Sequence, residues 1–393
     1  MGCLQSCLAQ HPRVSLLQVG ADGEITPPSD PLPRTLRTDL TWASFETVPK
    51  MLSGSGGSCD VFSATLDGER VAIKIARDGS STSAMRDLRA EATLLKELGL
   101  RPHRHIITII GEGIRDDGRP FIVLELLAET LSSLLPKPSV KMLGEPDEPD
   151  EVGLCEWWSA AAAWPMPRAL QCGYHLALAL KHLHEEEALP GHRVLHRDLK
   201  PDNIGFLADG SSTLVLLDFG LASRWQLDDG VVGGGPPERD DVPRPLTGQT
   251  GSTRYMSPEV ALSQPYSGKA EVFSFATILW QLVSHARPFR GFNVERFERR
   301  VARGGERPAV PRHWPDGLKE LLHDCWEAEP TRRPTFSTVC RRLETLLQQQ
   351  PALTASRARI EPVAQLVASS SPSSSQASST SALQAMPLEV VRA

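Results

Sequence analysis

Two short stretches in the middle of the chain constrain its fold most. Residues 195–206 read LHRDLKPDNIGF, and residues 214–222 read LVLLDFGLA. In both, charged or amide side chains stand between apolar runs of strand length. That pattern sets Asp198, Lys200, Asn203 and Asp218 on short loops between buried strands. A chain built this way needs a layered domain with a core to bury the flanks. The 393 residues, 40% hydrophobic and 23% charged, are of ordinary globular composition. Length alone allows two or three domains of roughly 150 residues, or a single larger one.

The first third is strand-rich. Residues 52–62 read LSGSGGSCDVF, with Gly54 and Gly56 one residue apart and Cys59 where a third glycine would complete G-x-G-x-x-G. Alone, this loop fits a Gly/Ser turn as well as a backbone cradle for phosphates. The runs VFSATL and RVAIKIA follow as strands, joined by a turn whose Asp67-Gly68 marks a hairpin. VAIK places Lys74 on the third strand, half-buried, where a lysine calls for a partner. Residues 83–98 have helical periodicity through Met85, Leu88, Ala92, Leu95 and Leu98, and Glu91 on that helix is the natural partner. HIITIIGEG and PFIVLEL read as two further strands. The remainder is mostly helical, most clearly over 169–187, with WSAAAAW, EVFSFATILWQLVS and LKELLHDCWEA following the same periodicity.

These residue types suit phosphoryl transfer from ATP. A carboxylate must orient an attacking hydroxyl and accept its proton, which suits Asp198. Hard oxygen ligands must hold Mg²⁺ against the phosphates, which suits Asn203 and Asp218. Lys200 beside the base would offset charge on the moving group. HRDLKPDN and DFG about 20 residues apart, behind a VAIK strand and a glycine loop, are together far more specific than any one tripeptide.

In this ordered set, over residues 45–348, the chain resembles the eukaryotic protein kinases. The resemblance implies an α+β, two-lobed fold: a small N-lobe with an antiparallel sheet and one main helix, and a larger, mostly helical C-lobe. It implies ATP in the cleft between them, with Ser53, Gly54, Gly56 and Val61 over the nucleotide and Ala72 against the adenine. Lys74 would then meet the phosphates and Glu91 would hold Lys74. Leu124 falls at the gatekeeper position, and Glu125 to Leu127 form the hinge segment. GSTRYMSPE at 251–259 matches the segment ending in A-P-E, with Ser257 for Ala, and CWEAEPTRRPTF at 325–336 supplies Arg333 as partner for Glu259. Lys200 followed by Pro201 is the serine/threonine pattern, whereas the C-W…R-P-T-F ending looks tyrosine-kinase-like. The combination resembles the tyrosine-kinase-like branch of serine/threonine kinases.

Three departures from the family pattern stand out. Cys59 replaces a loop glycine, as a tolerated small residue or as an oxidisable one. Glu271 replaces an Asp that supports the catalytic loop, and Ala276 replaces a Gly. Arg197 beside the base implies a switch by phosphate on the activation segment, residues 218–259, set by an upstream activating kinase. Thr247 and Thr250 are the candidate phosphosites, and Ser252 is assigned a structural role near the catalytic loop.

The ends carry other signals. MGCLQSC matches the N-myristoylation pattern at Gly2, with Cys3 and Cys7 placed for palmitoylation, so residues 1–44 read as a lead-in with an acylation site. Residues 136–167 form an irregular acidic and Trp-containing insertion, and 349–393 a Ser-rich disordered tail. A net charge of −6 with no basic block argues against nucleic-acid binding. Seven cysteines without C-x-x-C pairs fit a reducing compartment, and no apolar run approaches the roughly 18 residues of a membrane span. The expected location is cytoplasmic, with a tether to the inner face of a membrane if Gly2 is acylated. Three functions stay open: an active kinase acting on protein serines and threonines, a silent kinase fold used as a scaffold, and an unrelated nucleotide-using enzyme.

Overall fold

The computed structural model describes residues 29–52, 59–77, 82–135, 164–185, 188–226 and 243–358. The glycine-loop residues Ser53, Gly54 and Gly56 lie outside them. So do Gly2, Cys3 and Cys7, the segment WSAAAA at 158–163, the Asp- and Gly-rich run at 228–241, and the tail from residue 359.

The N-lobe is a six-stranded sheet with one helix against it. Its strands are β1 (Arg37–Leu40), β2 (Lys50–Met51), β3 (Cys59–Leu66), β4 (Glu69–Ala76), β5 (Ile109–Ile114) and β6 (Pro120–Glu125), in the order β1-β5-β6-β4-β3-β2. All neighbours are antiparallel except β1 and β5, which run parallel. Asp67 and Gly68 both take positive φ, 50° and 79°, which gives the β3–β4 hairpin the twist of a two-residue turn.

Alternation along β4 sorts its side chains between two faces. Val71, Ile73 and Ile75 pack with Leu40, Phe45, Phe121 and Val123 in one apolar cluster. Ala72, Lys74 and Ala76 take the opposite face, on the side of α1 (Thr82–Leu98), whose Leu88, Ala92, Leu95 and Leu98 are buried. The strand Arg37–Leu40 falls within residues 1–44, the expected lead-in. RTDL is short and polar and carries no strand signal of its own. It is recruited because Leu40, with Trp42 and Phe45 behind it, closes the outer face of the sheet.

The C-lobe is organised around α2 (Met166–His184) and α3 (Lys269–Ser284), both buried along most of their lengths. α4 (Asp316–Cys325) turns Leu318, Leu321 and Leu322 inward, and α5 (Phe336–Ala358) follows. α5 runs past residue 348, the expected end of the kinase domain. Of residues 349–393, those described, 349–358, are helical. Two small sheets lie over the helical core. One orders β10 (Leu214–Leu216), β9 (Ile204–Leu207) and β7 (Leu127–Thr130), and the other pairs β11 (Ser223–Gln226) with β8 (His192–Leu195). The motif residues sit on the loops these short strands fix.

Candidate active site

Glu91 lies on the apolar stripe of α1, three residues after Leu88 and four before Leu95, and is 3% exposed. A carboxylate there requires a partner, because an isolated buried charge is prohibitive. Lys74 is that partner: its Nζ donates to Glu91 Oε1 and Oε2 at 2.9 and 2.7 Å, and to Asp218 Oδ1 at 2.9 Å. Burial disfavours the Lys74 charge, but the two carboxylates outweigh it and hold its pKa above the ordinary lysine value. Burial raises Glu91, and Lys74 offsets that only in part. Asp218 is pushed up by burial and pulled further down by Lys74, so it ends below the usual carboxylate range. One ammonium thus ties sheet, helix and the loop after β10 together.

Asp198 stands between β8 and β9. Lys200 Nζ reaches its Oδ2 at 2.6 Å, Asn203 Nδ2 the same oxygen at 3.0 Å and its backbone carbonyl at 2.8 Å, and Ser252 Oγ reaches Oδ1 at 3.1 Å. Both oxygens are therefore oriented. His196 Nε2 donates to Leu217 O at 2.9 Å, and the Asp198 N–H points at His196 Nδ1 at 3.3 Å, so the imidazole braces the Asp198 loop against the Asp218 loop. Phe219 packs edge-on against His196 at 5.0 Å. Arg197 and Asp218 hold φ of 68° and 65°, a left-handed conformation that costs non-glycine residues energy and persists where the surroundings over-determine it.

Glu271 is where the sequence departs from the family pattern, and the carboxylate still reaches the loop. Its Oε1 accepts the Arg197 N–H at 2.6 Å, and its Oε2 accepts from His184 Nε2 at 2.6 Å. Burial opposes the carboxylate form, but the contacts to His184 and the loop outweigh it and hold the Glu271 pKa below the ordinary value. His184 gave no signal in the sequence, where it is one of several polar residues closing α2. Gly268 makes room for it: a Cβ there would stand 2.9 Å from His184 Nδ1.

Arg197 also meets the activation segment. Its Nη2 donates to Thr247 Oγ1 and to Thr250 Oγ1, the latter at 3.1 Å, while its buried Nε has no partner among the described residues. Gly251, at φ 93°, lets this segment close on the catalytic loop, since a Cβ would lie 2.4 Å from Arg197 O. Glu259 and Arg333 form a buried two-point ion pair at 2.6 and 2.9 Å. Val61 and Ile122 flank Lys74 in register, and Leu124 faces Ala72 on β6. Glu125 ends β6, with its carboxylate accepting the Thr108 N–H at 2.9 Å, and Leu127 opens β7.

The donor set fits a nucleotide with a hard divalent cation. Asn203 spends its Nδ2 on Asp198, which leaves its amide oxygen for a metal, and Asp218 has one carboxylate oxygen not taken by Lys74.

A family model for protein tyrosine and serine/threonine kinases matches residues 49–343. The dual specificity protein kinase shkB of Dictyostelium discoideum is 29% identical over 79% of this chain and 41% of its own length. Serine/threonine-protein kinase 12 of Arabidopsis thaliana is 35% identical over 46% of this chain and 36% of its own. Serine/threonine-protein kinase STY17 of Arabidopsis thaliana is 25% identical over 76% and 44%. The chain spans less than half the length of each of these three relatives. Their plant and amoebal origin fits the tyrosine-kinase-like branch.

Proposed function

This chain belongs to the family of protein tyrosine and serine/threonine kinases, and on that footing we propose that it transfers phosphate to serine and threonine hydroxyls of protein substrates. The observation that carries the reading is the Asp198 carboxylate. Lys200, Asn203 and Ser252 hold it in one orientation beside the Lys74–Asp218 contact that joins the lobes. In this role Asp198 orients the acceptor hydroxyl and takes its proton as the hydroxyl oxygen bonds to the terminal phosphorus and the bond from that phosphorus to the bridging oxygen breaks, releasing ADP. Lys200 sits where it offsets negative charge on the group in transit. Lys74, steadied by Glu91, addresses the phosphates; Ala72 lies against the adenine with the Glu125–Leu127 segment, and Val61 covers the nucleotide, a part also assigned to Ser53, Gly54 and Gly56, which lie outside the described residues. Asn203 and Asp218 would hold Mg²⁺. Bound ATP supplies the phosphoryl group, and Mg²⁺ neutralises the charge on its phosphates.

Lys200, two residues after Asp198, supports serine and threonine as acceptors. The test is incorporation from labelled Mg·ATP into the full chain and a generic protein substrate, with Asp198→Asn alongside. Label confined to phosphoserine and phosphothreonine and lost in the variant is the expected result. Phosphotyrosine would move the protein to the dual specificity named for its Dictyostelium relative. A folded wild type that binds ATP but stays as silent as the variant, even after treatment with an activating kinase, would make it a scaffold.

The same reading covers regulation and location. Thr247 and Thr250 surround Arg197, whose buried Nε can still donate, so a phosphate on either threonine gains charge-assisted hydrogen bonds. Phosphatase treatment should then lower the activity of a phosphorylated preparation. Among the described residues no helix is long and apolar enough to cross a membrane. Acylation at Gly2 with Cys3 or Cys7 would tether the cytoplasmic enzyme by two chains, one alone being marginal. Intact mass of protein expressed in a eukaryotic cell reads this directly, and an unmodified N-terminus removes the tether. The domain limits proposed are 45–348 for the kinase, with 1–44 and 349–393 outside it.

A further inference from the structure

Lys200 and Ser252, which hold the Asp198 carboxylate, also line one end of an open pocket of about 290 Å³. Its wall is aromatic, built from Phe289, Phe292 and Phe297, with Tyr255 beside them. Two arginines, Arg254 and Arg287, face the same space. Arg254 is fixed in place because its Nη1 donates to the carbonyls of Pro288 and Phe289, the latter at 2.9 Å. Neither arginine forms an ion pair among the described residues. Burial, and after it the neighbouring charge of Arg287, lowers the Arg254 pKa to about 10. Two more cations, Arg296 and Arg300, lie over the Phe292 ring at 4.7 and 5.4 Å. Asp202, the single acidic residue of the lining, is exposed to solvent. The pocket therefore adjoins the acceptor position with an excess of positive charge, of which Arg254 is partly withdrawn from water while Arg287 is exposed.

We propose that this pocket selects acceptor segments carrying an Asp or Glu side chain within a few residues of the phosphorylated hydroxyl. Arg287 and Arg254 hold the carboxylate, and the three phenylalanines cover its stem. The proposal rests on the kinase reading above, because the acceptor is what brings the segment to the pocket. A guanidinium suits a carboxylate better than an ammonium would, since its fork matches both oxygens. The occupant relieves the repulsion between the two arginines and gains a pair with Arg254 that water screens only in part. A Lys or Arg in the same place adds to that repulsion.

The experiment uses the full chain and three peptides of one parent sequence, with Glu, Ala or Lys at the positions flanking a single serine. Wild type should rank them Glu above Ala above Lys in kcat/KM, by about three- to tenfold at each step, the range of a partly screened charge pair. Arg287→Glu should invert the order and gain on the Lys peptide, an improvement that misfolding cannot produce. Equal use of the three peptides by wild type, or an unchanged order in Arg287→Glu, overturns the proposal and leaves the kinase reading standing. If neither a peptide nor the chain itself is phosphorylated, even after treatment with an activating kinase, the kinase reading falls and the pocket is judged by binding. Fluorescence anisotropy with labelled Glu and Lys peptides on Asp198→Asn then decides. Tighter, salt-sensitive binding of the Glu peptide that Arg287→Glu abolishes supports the pocket. Equal binding of the two refutes it.

Discussion

The two halves of the candidate site are assembled in opposite ways. Around Asp198, Lys200 and Asn203 lie two and five residues away in the chain, and Ser252 alone comes from a distance. Around Lys74, Glu91 is 17 residues away and Asp218 is 144. The first half is wired into one loop, so its geometry follows wherever β8 and β9 are in place. The second exists only when α1, β4 and the Asp218 loop converge. The proposed chemistry is thus concentrated in the local half, and dependence on the global arrangement in the distant one.

That contrast breaks most sharply at Asp198. Asp198→Asn should lower the rate of phosphate transfer by about 10²- to 10⁴-fold, the range for losing a general base. Its melting temperature should stay close to wild type, because the amide oxygen can still accept from Lys200 and Asn203 while its NH₂ donates to the Ser252 hydroxyl. Lys74→Met should do the reverse in character. It leaves Glu91 buried without its cation, so chemical denaturation should show a loss of about 3 kcal/mol together with lost activity. If Lys74→Met keeps full stability, the distant half is not holding the lobes together.

A third prediction concerns the joint that both halves lean on. His103 and His105, just ahead of β5, stack on His182 and His175 of α2 at 4.8 and 4.3 Å. Burial, then Arg104 and His103, lowers the His175 pKa to about 4, and burial with His175 lowers His105 well below its usual value. For His175 the folded form stays neutral while the unfolded chain takes up a proton below about pH 6.5. Stability is therefore full above pH 6.5 and falls as the pH drops toward 4. Urea unfolding at pH 5 should show about 2 kcal/mol less stability from this histidine than at pH 7. His175→Gln should flatten that slope, and an unchanged slope would count against a role for the stack.

The smallest effect should come from the departure at Glu271. Glu271→Asp withdraws the carboxylate by one methylene, so it cannot keep both the Arg197 N–H and His184. A loss of about 1–2 kcal/mol is expected, the cost of one buried donor left unmet. Activity should fall with it, and His184→Asn should restore part of both if the two residues act as a unit. A stabilised Glu271→Asp would show that His184 is incidental.

Much of the site was legible in advance because the chemistry of the Asp198 loop is local. HRDLKPDN holds the proposed base Asp198 and two of its hydrogen-bond partners within a few residues, and the apolar flanks mark the strands that carry them. The Lys74–Glu91 pair was also within reach, since a lysine in a strand and a glutamate on an apolar helical stripe each need a partner. Other elements had no local signal. RTDL becomes a strand because the sheet's outer face needs Leu40, not because of its own pattern. Glu271 reads in the sequence only as a replacement for Asp, and its second partner, His184, lies 87 residues earlier. Arg254 and Arg287 meet over one pocket only after the segment around residue 254 folds onto the turn following α3.

The sequence by itself determined the two-lobed fold, the family and the residue types at the reacting centre, because each is encoded over a few neighbouring positions. Tertiary structure decided which distant side chains complete them. A buried carboxylate, an unpaired cation or a left-handed backbone is tolerable only if something far along the chain compensates for it, and no periodicity records where that partner lies.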